Sequence, residues 1–150
     1  MSCFEIHPAR SRPQEADPMP ATINPRIVLI DDDPRLLAAT ARLIAAWGYR
    51  CETFTDGRAA LTAMAADPPA LLLVDIYMPD LDGFEVIARM RLIAPGTRII
   101  AISGDIVRGH PTHVLAVSEQ LGVDATIQKP LRPEQLRTLL GQLCAPASTA

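Results

Sequence analysis

The chain has 150 residues, 49% hydrophobic and 21% charged, which is enough for one ordinary core and too short for two average domains. A formal net charge of -3 argues against a general affinity for nucleic acid or anionic lipid, and no stretch approaches the roughly 18 apolar residues of a membrane span. Cys3, Cys51 and Cys144 are scattered without a CxxC pair, which argues against a zinc site or a disulfide framework and favours a cytoplasmic protein.

The two ends of the chain are expected to lie outside the fold. Residues 1–25 contain five prolines and no hydrophobic period, so we expect a disordered N-terminal extension, within which Met19 is an alternative start. This segment lacks the apolar region of a signal peptide. The folded domain is expected at residues 26–144, and a short tail is expected at 145–150.

The predicted elements begin at residue 26. Arg26–Ile30 is a short β-branched strand, and apolar residues at helical spacing follow over 34–47. Gly48 then suits a left-handed C-cap. Arg50–Phe54 alternates like a half-buried edge strand, and Asp56 is placed to cap a second helix that ends near residue 66.

The second half repeats the alternation. Residues 71–74 are wholly apolar, as in a central parallel strand, and a helix over 84–93 follows the loop that ends in Gly83. The remaining elements, in order, are a strand at 98–102, a helix over 112–122, a strand at Ala125–Gln128 and a helix at Pro133–Leu143. Five strands alternating with five helices predict a doubly wound α/β fold, with a five-stranded parallel sheet in the flavodoxin-like order 2-1-3-4-5 and helices on both faces.

Polar residues follow four of the five strands, at the edge where open parallel sheets form their sites. Three carboxylates brought together repel one another, and Mg²⁺, which prefers carboxylate oxygens, removes that conflict. A carboxylate beside such a cation suits a nucleophile for phosphoryl transfer, and an ammonium and a hydroxyl suit the transferred oxygens. Lys129 is the only lysine among 14 basic residues. The residues concerned are Asp31, Asp32 and Asp33 after the first strand, Asp75, Ser103 and Lys129. Taken alone, the first three are equally compatible with a solvated cluster that caps the first helix.

Four separated motifs resemble the signatures of receiver domains of two-component signalling, in order and in spacing. They are VLIDDDP, LLLVDIYMPDLDG, IIAISGD and IQKPL, and the resemblance covers about residues 26–144. It implies that Asp75 is the phosphoacceptor, that Asp32 contacts Mg²⁺ directly and that Asp31 does so through water. The backbone carbonyl of Tyr77 would be a further metal ligand.

The same resemblance implies that Ser103 and Lys129 bond phosphoryl oxygens and that the Lys129–Pro130 peptide is cis. Mn²⁺ is expected to substitute for Mg²⁺. Asp33, Asp80 and Asp82 are expected to serve caps and turns.

The sequence departs from the family pattern in three places. Thr126 occupies the position where the family often has an aromatic switch residue, so the usual coupling of that residue to Ser103 is not expected. A loop around residues 104–112 is longer than usual. Tyr77 is large for its position beside the acceptor, and we hypothesise that it slows attack by water on the phosphorylated form.

The expected function is a stand-alone response-regulator receiver, and not an enzyme in its own right. A sensor histidine kinase or a phosphotransfer protein would donate the phosphoryl group. Output would be relay, sink or binding of a downstream protein at residues 112–143, with no nucleic acid or membrane partner, as a monomer or a phosphorylation-dependent dimer. Two alternatives are a phosphorylation-independent receiver-like binding module and a haloacid-dehalogenase-type phosphatase. The phosphatase is disfavoured because Tyr77 stands where that family needs a second aspartate.

Overall fold

The computed structural model of the chain describes residues 24–104 and 119–144. The N-terminal extension with its alternative start, the loop after Gly104, most of the helix predicted over 112–122 and the C-terminal tail lie outside the described residues.

The described elements follow the predicted order, and the predicted boundaries differ from them by at most one residue. The first helix ends one residue early because Trp47 is its C-cap and Gly48 turns the chain at φ 94°. The elements are β1 (Arg26–Ile30), α1 (Pro34–Ala46), β2 (Arg50–Phe54), α2 (Gly57–Ala66), β3 (Leu71–Asp75), α3 (Gly83–Ile93), β4 (Arg98–Ser103), β5 (Ala125–Gln128) and α4 (Pro133–Leu143).

The five strands form one parallel sheet in the order β2-β1-β3-β4-β5, which confirms the predicted fold class. β2 is an edge strand, as predicted, but it is more exposed than a half-buried strand, with three exposed residues and two partly buried ones, whereas β3 at the centre is buried throughout. The register pairs Asp75 with Ile102 and Ser103 with Gln128, so the last residues of three neighbouring strands lie at one edge.

Alternate side chains of β1, β3 and β4 enter two different cores, one on each face of the sheet. One core lies beneath α2 and α3 and includes Val28, Leu72 and Ile99, and the other lies beneath α1 and α4 and includes Ile27, Leu73 and Ile100. The two-sided burial explains why β1, β3 and β4 read as continuous apolar runs. Within the described residues, no helix combines the length and apolarity needed to cross a membrane.

Aspartate side chains begin three of the four described helices. Asp33, Asp56 and Asp82 each accept a hydrogen bond from a backbone N–H in the first turn of α1, α2 and α3, respectively. The predictions for Asp33 and Asp56 as caps and for Asp82 as a cap or turn residue are therefore confirmed.

Candidate functional site

The carboxyl ends of β1, β3 and β5 bring together the acidic and basic residues predicted from the sequence. Asp31 follows β1 and is held in line by its N–H, which donates to the carbonyl of Phe54. Asp75 is the last residue of β3. Lys129 follows β5, and its N–H donates to the carbonyl of Ser103 at 2.9 Å. Backbone hydrogen bonds therefore fix the main-chain positions from which the Asp31 and Lys129 side chains extend.

Three carboxylates and one ammonium meet in this site. Carboxylate oxygens of Asp31, Asp32 and Asp75 lie within 4.8 Å of one another. Asp31 is completely buried and Asp75 is 2% exposed, while Asp32 faces solvent. The Nζ atom of Lys129 lies 2.9 Å from Asp31 Oδ2 and 2.9 Å from Asp75 Oδ2. The peptide that joins Lys129 to Pro130 is cis, as expected.

Both buried carboxylates are oriented by the backbone two residues further on. The N–H of Asp33 donates to Asp31 Oδ1 at 2.9 Å, and the N–H of Tyr77 donates to Asp75 Oδ1 at 3.0 Å. In each carboxylate the Oδ1 atom is therefore held by an amide, and Oδ2 is turned towards Lys129.

The electrostatics of the site follow from burial and from the neighbouring charges. Burial raises the pKa of Asp75, and the Asp31 charge adds to that rise, although Lys129 and the Tyr77 amide oppose it. Partial desolvation and the adjacent Asp31 carboxylate raise the pKa of Asp32. Burial alone would lower the pKa of Lys129, but its contacts with Asp31 and Asp75 outweigh that effect and raise it. Lys129 is therefore a firmly protonated counter-ion.

The acidic set fits a hard divalent cation. Asp31 Oδ2 is a buried oxygen without a hydrogen bond in the described part of the chain, and the cation paired with it there is the Lys129 ammonium, 2.9 Å away, which it shares with Asp75. Two buried carboxylates that share one ammonium keep a net negative charge, which is costly to bury unless a further cation offsets it. Oxygen donors of this kind are the ligands that Mg²⁺ takes.

Ser103 ends the strand beside that of Asp75, and Tyr77 follows Asp75 in the next loop. The Ser103 hydroxyl donates to the carbonyl of Ile127 at 3.4 Å, which is a long hydrogen bond, and its side chain is partly exposed. The Tyr77 ring is 60% exposed and lies beside Gly104. Thr126, at the position of the missing aromatic residue, is half-buried in β5 opposite Ala101.

Other polar and aromatic residues of the chain lie apart from this cluster or outside the described residues. Asp80 is an exposed residue of the loop after β3. Trp47 packs at the end of α1 beneath Arg137, whose guanidinium carbon lies 5.9 Å from the ring centroid, so it serves packing. His7, His110 and His113 fall in segments outside the described residues.

Sequence reasoning did not identify the close packing of Gly83 against the acceptor. A Cβ atom on Gly83 would lie 2.3 Å from the carbonyl oxygen of Asp75. An Asp-Gly pair before a helical stretch indicates a turn and a cap, but it carries no signal that another segment's backbone lies against the glycine.

Comparison with known proteins agrees with this geometry. A family model described as "Response regulator receiver domain" matches residues 27–141. The transcriptional regulatory protein TcrA of Mycobacterium tuberculosis is 31% identical over 111 residues, which cover 74% of this chain and 42% of TcrA. The chain thus spans less than half the length of that curated relative.

Two solved structures show the same fold. A CheY-like response regulator receiver domain protein from Methanospirillum hungatei has a TM-score of 0.72 at 27% identity, covering 79% of this chain and 91% of that one. The receiver domain of the sensor histidine kinase PA1611 from Pseudomonas aeruginosa has a TM-score of 0.71 at 22% identity, covering 82% and 99%. That structure contains a magnesium ion coordinated in its active-site cleft. With the family model matching most of its length, the chain belongs to the receiver domain family of two-component response regulators.

Proposed function

We propose that this chain accepts a phosphoryl group on Asp75, from a histidine kinase or a phosphotransfer protein, in a Mg²⁺-dependent reaction. Receiver domains are the phosphoacceptors of two-component systems and interact with histidine kinases. The observation that carries the proposal is the cluster itself. Asp31, Asp32 and Asp75 present oxygens within 4.8 Å of one another, and the Lys129 ammonium lies 2.9 Å from two of these carboxylates.

Asp75 is the proposed nucleophile because it is the central buried carboxylate and is held in place. Its Oδ1 atom accepts from the Tyr77 amide and its Oδ2 atom from Lys129. In transfer from a phosphohistidine, a carboxylate oxygen attacks phosphorus and the P–N bond breaks. The bonding electron pair leaves with the imidazole, which takes up a proton.

Lys129 and Ser103 are the proposed partners of the transferred oxygens. The Lys129 ammonium already contacts Asp75 and is placed to offset charge that builds up on an adjacent phosphoryl oxygen. The Ser103 hydroxyl makes only a 3.4 Å hydrogen bond, so it gives up little when it turns towards a phosphoryl oxygen.

Asp31, Asp32, Asp75 and the Tyr77 carbonyl are the groups proposed to hold Mg²⁺, and receiver domains bind this ion in an acidic site. Bound there, the cation would neutralise the carboxylates and the incoming phosphoryl oxygens. Mn²⁺ is proposed as a substitute because the donor set is entirely oxygen.

The proposed output is binding of another protein at residues 112–143, of which β5 and α4 are described. A relay or sink role uses the same acceptor chemistry. TcrA is named as a transcriptional regulatory protein and is more than twice as long as the matched region. Several expectations therefore stay predictions. They are that the domain stands alone, that it is cytoplasmic, that it is a monomer or dimerises on phosphorylation, and that it has no nucleic acid or membrane partner.

The deciding experiment incubates the purified protein with Mg²⁺ and acetyl phosphate and follows its intact mass. We expect an adduct of one phosphoryl group that is lost at alkaline pH, absent with chelator and absent in Asp75→Ala. Asp80→Ala is the matched control, since it removes an exposed acid of the following loop and should leave the adduct unchanged.

The second candidate is a phosphorylation-independent receiver-like binding module, favoured by Thr126 at the position of the usual switch aromatic. If no adduct forms, beryllofluoride with Mg²⁺ distinguishes the two functions. If the protein binds this phosphoryl mimic, the proposed function is kept, and the receiver takes its phosphoryl group only from its kinase. If the protein does not bind the mimic, the result supports the phosphorylation-independent binding module.

A further inference from the structure

Gly83, the first residue of α3, lies directly against the backbone of Asp75. A Cβ atom at this position would lie 2.3 Å from the Asp75 carbonyl oxygen, 2.6 Å from the Ile76 Cα and 2.9 Å from the Asp75 carbonyl carbon. All three are backbone atoms, which have no rotamer to change. The φ angle of Gly83 is not in the left-handed region. Glycine is therefore required here by the close Asp75 and Ile76 backbone atoms, and not by the backbone conformation of Gly83 itself.

Hydrogen bonds connect Gly83 to the groups around the acceptor. The Gly83 N–H donates to the Ile76 carbonyl at 2.9 Å, and the Ile76 N–H donates to the Ile102 carbonyl in β4 at 3.0 Å. Ile76 is therefore held on both sides. The next residue is Tyr77, whose N–H donates to Asp75 Oδ1. A shift of Gly83 away from β3 would pull on Ile76 and displace the Tyr77 peptide.

We propose that Gly83 is a positioning residue for the acceptor. Its missing side chain lets α3 begin against β3, which places the Tyr77 amide on Asp75. This inference rests on the proposed function, in which Asp75 accepts phosphate and the acidic site takes Mg²⁺.

Gly57, the first residue of α2, offers a matched control. Like Gly83, it is buried and begins a helix. A Cβ atom there would meet Val86 Cγ2 at 3.0 Å and Leu81 Cδ2 at 3.3 Å, which are the ends of side chains that can move by a few tenths of an ångström. Alanine at Gly57 therefore perturbs packing without pushing on the acceptor backbone.

The test compares Gly83→Ala with Gly57→Ala in the full chain, using circular dichroism for folding and Mg²⁺ titration of the thermal midpoint for affinity. We expect Gly83→Ala to weaken Mg²⁺ binding at least tenfold and to slow adduct formation from acetyl phosphate at saturating Mg²⁺. Gly57→Ala should keep Mg²⁺ affinity within twofold. A folded Gly83→Ala protein that binds Mg²⁺ like wild type would overturn the inference.

If Gly83→Ala does not fold, the N-cap of α3 gives a second test, because substitutions of Asp82 by asparagine or alanine add no bulk against the acceptor backbone. Asp82 Oδ1 accepts from the Glu85 N–H at 2.9 Å, and asparagine preserves such a cap whereas alanine removes it. Asp82→Ala should bind Mg²⁺ at least threefold more weakly than Asp82→Asn, which carries the same charge change. Equal affinities of the two variants would refute a positioning role for this helix start.

The wild-type protein separates this inference from the proposed function. If wild type neither forms an adduct with acetyl phosphate nor binds beryllofluoride, the proposed function fails whatever the variants do. If wild type forms the adduct and the Gly83 and Asp82 variants match it in Mg²⁺ affinity, only the positioning role fails.

Discussion

The Nζ atom of Lys129 lies 2.9 Å from Asp75 Oδ2, although the two residues are 54 positions apart in the chain. The same nitrogen lies 2.9 Å from Asp31 Oδ2. One ammonium thus faces two buried carboxylates, and it is the counter-ion on which their burial depends when no metal is bound.

Lys129→Met should therefore destabilise the metal-free protein. The substitution keeps a side chain of similar length but leaves the buried carboxylates without their cation, a loss of about 1–3 kcal/mol once the 25% exposure of Lys129 is allowed for. Urea unfolding in chelator at neutral pH measures this loss of unfolding free energy, and added Mg²⁺ should recover most of it. Arg42→Met, on the exposed face of α1, is the control and should stay within about 0.5 kcal/mol of wild type. Equal stabilities of the two variants would show that Lys129 is not the counter-ion.

Asp75→Asn should stabilise the metal-free protein at neutral pH. Burial first, and the Asp31 charge second, raise the pKa of Asp75 above its ordinary 3.8. Because the pKa of Asp75 is higher in the folded protein than in the unfolded chain, its protonation stabilises the fold at pH values below 3.8. This stabilisation is lost as the pH rises through the pKa of the folded protein. Asparagine does not ionise, so the variant should lack this loss. Unfolding free energies measured in chelator from acid to neutral pH should fall more steeply for wild type, and parallel curves would contradict the prediction.

The same variant should lose its response to Mg²⁺. A ligand at ten times its Kd stabilises a protein by about 1.4 kcal/mol, which is a rise of about 5 °C in the thermal midpoint of a domain this size. Wild type should show that rise, and Asp75→Asn should show little of it. A full response in Asp75→Asn would place the cation away from the acceptor.

The sheet and the meeting of the site residues were predictable because both depend on short-range patterns. β3 is apolar over residues 71–74 and β4 over residues 99–102, and each ends at a polar residue, Asp75 and Ser103 respectively. Parallel strands place such ends at one edge of the sheet, so the strand boundaries also determined which side chains meet.

The contacts within the site were less predictable because they depend on packing between distant segments. The sequence indicated a turn at Gly83, and only the folded backbone shows that the Asp75 carbonyl leaves no room for a side chain. Arg91 is a comparable case outside the site, where its guanidinium bonds the carbonyls of Thr97 and Gly122 beyond the end of α3. No periodicity in the sequence indicates these partners.

Two exposed glycines should respond to alanine in opposite directions. Gly48 has φ 94°, a left-handed conformation that costs an L-residue about 1–2 kcal/mol, so Gly48→Ala should destabilise the fold. Gly141 lies within α4, and a Cβ atom added there would have no neighbour within 4 Å, so Gly141→Ala should stabilise the fold by about 0.5–1 kcal/mol. Urea unfolding of both variants in Mg²⁺ measures the difference. A stabilising effect of Gly48→Ala would contradict the left-handed cap.

Tyr77→Asn should shorten the lifetime of the phosphorylated form. Asp75 is 2% exposed, whereas Tyr77, two residues further on, is 60% exposed, and its ring lies beside Gly104. We hypothesise that this ring shields the phosphorylated acceptor from water. A smaller amide would leave the acceptor more open to water and could orient a water molecule, and we expect dephosphorylation about three to ten times faster, up to about 1.4 kcal/mol of barrier.

The measurement follows loss of the adduct in Mg²⁺ after the phosphodonor is removed. Tyr77→Phe is the matched control, because it keeps the ring and should decay within twofold of wild type. Slower or unchanged decay in Tyr77→Asn would mean that the ring does not shield the acyl phosphate. Rapid decay in both variants would assign the protection to the phenolic hydroxyl, a polar contact with the phosphorylated acceptor in place of a steric one.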